Sequence, residues 1–172
     1  LSRSSLALGV LPLADMVRPE ELFAQASARG RDVFGHGVAS GDPRSDRVVL
    51  WTRVSRGTGE VSVRWTMAEN AALTRVVARG ETRTRAGRDY TVKVDVAGLT
   101  PGTTYYYRFE ALGARSIVGR TRTLPAAGVG RVRLALASCA NFAHGYFNVY
   151  RRIAQRLDVD VVLHLGDYIY EY

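Results

Sequence analysis

Val61-Ser62-Val63-Arg64-Trp65-Thr66-Met67 decides the fold, because apolar and polar residues alternate with a period of two. A chain extended through such a run turns one side chain in and the next out, so it builds a strand with one buried and one wet face. The pattern repeats outward. Tyr90, Val92, Val94 and Val96 alternate with Thr91, Lys93 and Asp95, and Val48 to Val54 and Tyr105 to Ala111 behave alike. Gly41-Asp42-Pro43, Gly57-Thr58-Gly59, Gly98 and Pro101-Gly102 punctuate the runs at the spacing of an antiparallel sandwich. The expected fold class is mainly β, with roughly seven strands between Phe34 and about Leu124.

Leu99-Thr100-Pro101-Gly102-Thr103-Thr104-Tyr105 narrows the type of sandwich. It resembles the turn of fibronectin type III domains, an immunoglobulin-like sandwich whose tyrosine corner returns a phenolic hydroxyl to the backbone. Tyr105 is the matching residue, with a structural role, since a buried hydroxyl needs a partner and that partner fixes the turn. The alternative is an aromatic binding patch of Tyr105, Tyr106 and Tyr107. Against it, Tyr105, Tyr107 and Phe109 share one strand face and fill core most simply.

The 172 residues have room for one domain and part of another, and 47% hydrophobic content suits a globular chain. The net charge of +8 is carried almost wholly by arginine, Lys93 being the single lysine. Arg75, Arg79, Arg83, Arg85 and Arg88 form the densest group, yet no aromatic residue interleaves them, so a solvated basic surface is favoured over a specific nucleic-acid partner. No apolar run reaches the roughly 18 to 20 residues of a membrane span. Leu6 to Ala14 is a short apolar stretch after Arg3, followed by the small-x-small site Ala24-Gln25-Ala26. Residues 1–33 therefore read as a leader and signal-peptide remnant, a surface helix running to Arg29 being the alternative.

After the small-residue linker Ala126-Ala127-Gly128-Val129-Gly130 the periodicity changes. Arg131 to Ser138 reads as a strand, Gly145 to Leu157 as a helix with Phe147, Tyr150, Ile153, Ala154 and Leu157 on one stripe, and Val159 to Leu165 as a strand buried on both faces. This is one βαβ unit. Alone it leaves apolar faces that further elements would normally cover, so the unit is expected to belong to a larger domain and to be aggregation-prone by itself.

In open α/β sheets the chemistry lies just beyond the carboxyl ends of parallel strands. Neighbouring strands lie about 4.8 Å apart, so Cys139 and Asp167, each just past a strand end, would share one rim. Tyr170 follows Asp167 by three residues. Thiol, carboxylate and phenol together could hold one metal ion, and a tyrosinate suits ferric iron. Each also has a plainer reading: Cys139, the single cysteine, as a small buried hydrophobe, Asp167 as a turn cap, and Tyr168, Tyr170 and Tyr172 as packing residues. His36, His144 and His164 match no ligand pattern and are read as structural or of unknown role.

Gly166-Asp167-Tyr168-Ile169-Tyr170 resembles the second motif of the purple acid phosphatase type of metallophosphoesterase. Phe34-Gly35-His36-Gly37-Val38-Ala39-Ser40-Gly41-Asp42-Pro43 and Asp46 to Arg53 resemble the amino-terminal sandwich of PhoD-type alkaline phosphatases, and Ser138-Cys139 the opening of their catalytic domain. The resemblance implies a sandwich over residues 34–125, and over 126–172 the start of a truncated α/β metallophosphoesterase domain. It implies a secreted, commonly twin-arginine-exported phosphomonoesterase and phosphodiesterase using one ferric and two calcium ions, with a metal-bound oxygen nucleophile. By motif, Cys139 and Tyr170 would bind iron, and Asp167 would bridge iron to calcium. The later histidine motifs of such enzymes are absent, so this polypeptide alone is expected to be inactive. The rival expectation is a secreted binding module without catalysis.

Overall fold

The structure is a computed structural model that describes residues 28–171. The apolar stretch Leu6 to Ala14 and Ala24-Gln25-Ala26 lie outside the described residues. A short helix α1 (Ala28–Val33) leads into strands β1 (Val38–Gly41), β2 (Arg47–Arg53), β3 (Val61–Ala68), β4 (Val76–Thr84), β5 (Thr91–Ala97), β6 (Thr104–Ala111), β7 (Ala114–Arg115) and β8 (Gly119–Arg122). They form two antiparallel sheets. One runs β1-β2-β5, the other β4-β3-β6-β7, with β8 also paired to β6.

The period-two runs bury the residues that alternation assigns to the inside. Leu50, Val63, Met67, Val92, Val96, Tyr107 and Phe109 form one continuous core, joined by Val33 and Phe34 at the end of α1. Tyr107 and Phe109 meet edge to face, with ring centroids 6.1 Å apart, an arrangement the ring quadrupoles favour. Gly119 is required at its position because a Cβ there would collide with the Tyr107 ring. Buried hydroxyls are satisfied within the fold: Thr52 donates to the Gly37 carbonyl, and Thr123 donates to the Thr100 carbonyl while accepting the Thr103 N–H.

The tyrosine corner forms as the sequence suggests. Tyr105 is buried, and its hydroxyl accepts the Thr100 N–H at 2.9 Å, bracing the Pro101-Gly102 turn. Tyr107 is buried beside it, and burial pushes its phenol well above the usual range, so an aromatic binding patch is not what these residues build. Two strands escape the expected pattern. β4 carries Arg79 and Arg83 on its exposed side, and β8 is only four residues long. β4 has a single neighbour, β3, and charged side chains on such an edge oppose pairing with another chain. Part of the arginine group is thereby an edge-strand surface, with ion pairs Arg75–Glu69 and Arg83–Glu60.

Beyond the linker come β9 (Leu134–Ala137), α2 (Asn148–Ala154) and β10 (Val161–His164). β9 and β10 are parallel neighbours, with Leu134 opposite Val161 and Ala137 opposite His164. The helix is shorter than its apolar stripe suggests, because Phe147 adopts φ 52° and breaks the entry. β10 is not buried on both faces. Leu134, Leu136 and Leu163 stand on one open side of the pair, Leu136 at 61% exposure, while α2 covers part of the other by laying Tyr150 on His164. No further described element packs over the open side, which is why Leu134, Leu136 and Leu163 remain wet.

Candidate metal half-site at the paired strand ends

The β9–β10 ladder continues past its regular residues. Leu165 N–H donates to the Ala137 carbonyl at 2.8 Å and Cys139 N–H to the Gly166 carbonyl at 3.3 Å. Both chains then twist. Cys139 and Asp167 take positive φ values of 57° and 49°, and Gly166 takes 113°. Residues with a Cβ occupy this left-handed region rarely and at some cost, and such strain gathers at functional sites. Pairing resumes afterwards: Ala140 N–H donates to the Asp167 carbonyl, Tyr170 N–H to the Ala140 carbonyl, and Phe142 N–H to the Tyr170 carbonyl, so Asn141 and Tyr170 form a parallel bridge.

The double twist brings together the three side chains that the sequence singles out. The Cys139 thiol donates to Asp167 Oδ2 at 3.6 Å, and Cys139 is exposed. Tyr170 is half-buried beside them. Its hydrogen bond to the Asp167 carboxylate, then burial, then its bond to Cys139, hold the phenol well above its usual range. The proton that any phenol carries at neutral pH is therefore held more strongly on Tyr170. Among the described residues no group of three or more His, Cys, Asp or Glu side chains converges.

The histidines stand elsewhere or in other roles. His36 belongs to the sandwich, where it bonds Ser55 at 3.1 Å next to the Arg53–Asp89 ion pair; the Arg53 guanidinium holds the Asp89 carboxyl below the usual range. The His144 N–H donates to Asn141 Oδ1 at 2.7 Å. His164 Nε2 pairs with the Tyr150 hydroxyl at 2.9 Å, and its ring meets Tyr168 edge to face with centroids 5.0 Å apart. It holds the end of β10 between Tyr150 and Tyr168. Sequence reasoning missed Asn141, whose backbone carries the bridge that seats Tyr170; its place two residues after Cys139 in a parallel ladder is the signal that could have found it.

A sandwich braced by a tyrosine corner and followed by a parallel βαβ unit, with thiol, carboxylate and phenol meeting at the strand ends, defines a mainly β chain in which a β-sandwich leads into the start of an α/β domain. Comparison with known proteins makes this specific: the PhoD-like phosphatase N-terminal domain matches residues 20–125 and the PhoD-like phosphatase family matches residues 134–172. The chain belongs to the PhoD-like phosphatase family. It is 43% identical over 149 residues to alkaline phosphatase D of Bacillus subtilis (strain 168), covering 81% of this chain and 25% of that protein. It superposes on the solved structure of PhoD with a TM-score of 0.77 at 41% identity, covering 82% of this chain and 29% of that one. The chain thus spans about a quarter of the length of the curated relative it matches. A human fibronectin type III domain superposes at a TM-score of 0.39 and 21% identity, too loosely to bear on the argument.

Proposed function

We propose that this chain is the amino-terminal part of a metal-dependent phosphoric ester hydrolase of the alkaline phosphatase D kind, acting on phosphomonoesters and phosphodiesters. The observation that carries the reading is the convergence of Cys139, Asp167 and Tyr170 on one exposed rim. The donor set fits one cation. A proton is held on Tyr170 between neighbouring acidic groups, and a cation in their midst would displace it, exchanging a crowded hydrogen-bonded cluster for a charge-neutralised one.

Cys139, past β9, and Tyr170, past β10, would hold ferric iron, and Asp167, also past β10, would serve both that ion and a calcium ion. A bound cation supplies Lewis acidity toward a phosphoryl oxygen. The chain's own residues do the rest. β9 and β10 hold the thiol and carboxylate at fixed separation, the Asn141–Tyr170 bridge seats the phenol, and the exposed rim leaves room for an anionic ester. We infer that residues 34–125 are an accessory sandwich, that 126–172 open the catalytic domain, and that the 172 residues alone do not turn over substrate, since three donors cannot hold two or three ions. Export is part of the same reading, supported by the apolar stretch at Leu6 to Ala14; the twin-arginine route rests on the family resemblance alone, since no twin arginine precedes Leu6. Among the described residues no helix is long and apolar enough to cross a membrane.

The test is hydrolysis of a chromogenic phosphate ester by the complete protein. The reading expects activity that chelation removes, that added iron and calcium restore, and that Asp167→Asn abolishes. Metal-independent activity, or full activity in Asp167→Asn, would contradict it.

A further inference from the structure

β8 carries Arg120 and Arg122 two residues apart, so both leave the sheet face opposite the buried Gly119 and Thr121. That face looks onto the βαβ unit across a cleft of about 660 Å³, bounded on the far side by Ile153, Leu157 and Val162. The Arg120 guanidinium donates to the carbonyls of Leu157 at 3.2 Å and Arg156 at 3.4 Å. These lie just past the end of α2, where carbonyls lack partners within the helix and a cation is favoured.

Arg122 spans the two units directly. Its Nε donates to the Gly102 carbonyl in the tyrosine-corner turn at 3.3 Å, and its Nη1 donates to Asp160 Oδ1 at 3.1 Å. The other Asp160 oxygen accepts the Arg133 N–H at 2.9 Å, and the Asp160 N–H donates to the Arg133 carbonyl at 3.0 Å. Asp160 therefore ties the entries of β9 and β10 to each other, and Arg122 fastens the tie to the sandwich.

We infer that Arg120 and Arg122 are positioning residues that clamp the entry of the β9–β10 pair to the sandwich and so fix the register bringing Cys139 beside Asp167. A two-stranded ladder with one open face is marginal by itself. A slip of one residue would turn every side chain of a strand to the opposite face and separate thiol from carboxylate. The clamp grips the pair at the end away from the site and includes backbone partners in the connection from α2 to β10 and, through Asp160, at Arg133 just before β9, which an isolated surface ion pair lacks. Through it the sandwich acquires a mechanical role, holding the site-bearing strands in place. The consequence for metal binding rests on the function proposed above, but the clamp itself is tested without metal.

The chain has one cysteine, Cys139, and two tryptophans, Trp51 on β2 and Trp65 on β3, so under selective tryptophan excitation a dansyl group on Cys139 receives energy only from the sandwich. In the full chain, Arg120→Ala combined with Arg122→Ala is expected to lower the transfer. Hydrogen exchange at Val161 to His164 should quicken about tenfold, while the Thr100 amide stays protected. Asp160→Asn, made on the other side of the cleft, should act in the same direction. The edge-strand variant Arg79→Ala should change neither signal. Wild-type transfer and exchange in the double alanine variant would overturn the clamp, as would an unaltered Asp160→Asn protein. Failure of the wild-type chain to bind ferric ion, with the variants changing transfer and exchange as expected, would count against the metal reading alone.

Discussion

The sandwich and the βαβ unit are built to opposite rules. In the sandwich, Leu50, Met67, Tyr107 and Phe109 are sealed between two sheets, and buried hydroxyls such as Thr52 and Thr123 find backbone partners. In the βαβ unit, Leu136 and Leu165 stand 61% and 70% exposed, and residues with positive φ hold three acidic side chains together in the open. One region seals its apolar side chains, and the other leaves them open beside the candidate half-site.

Breaking the sandwich should cost most. Phe109→Ala removes a fully buried ring and is expected to lower unfolding free energy by about 3–5 kcal/mol in denaturant titration. Tyr105→Phe keeps the ring but leaves the Thr100 N–H without its acceptor, an expected loss of about 1–3 kcal/mol by the same measurement. On the open side of the β9–β10 pair, Leu136→Ser should alter stability by no more than about 0.5 kcal/mol. It should reduce self-association in analytical ultracentrifugation, because the exposed apolar side shrinks.

The smallest effect is electrostatic. Arg156 donates to both oxygens of Asp158 at 2.6 and 2.8 Å, and that bonding holds the Asp158 carboxyl far below its usual range. A carboxyl depressed in the fold stabilises above its unfolded value of about 3.9 and loses that contribution as pH falls through the folded value. Acid titration followed by exchange at the end of α2 should therefore show a step in the wild type, below the ordinary carboxylate range, that Asp158→Asn lacks.

Much of this architecture is legible in the sequence, for identifiable reasons. Alternation at Val61 to Met67 and Tyr105 to Ala111 forecasts the buried faces because burial in a strand obeys a strict period of two. Leu99 to Tyr105 forecasts the corner because its partner lies only five residues away. β4 is not legible: Arg79, Glu81 and Arg83 lie on an edge where pairing, not burial, makes the strand. The short α2 is hidden because the left-handed turn at Phe147 opposes its helical stripe. At the rim, Cys139 and Asp167 can be placed from strand ends, whereas the twist that turns them toward each other, and the role of Asn141 in seating Tyr170, depend on backbone geometry that residue types do not encode.

Whether Cys139, Asp167 and Tyr170 form a ferric half-site is decided by visible absorption during titration of the chain with ferric ion. A tyrosinate-to-iron band should grow to one equivalent, as the phenol held protonated beside Asp167 gives up its proton, and it should be missing in Tyr170→Phe. A band of equal intensity in Tyr170→Phe, or none in the wild type, would contradict the half-site.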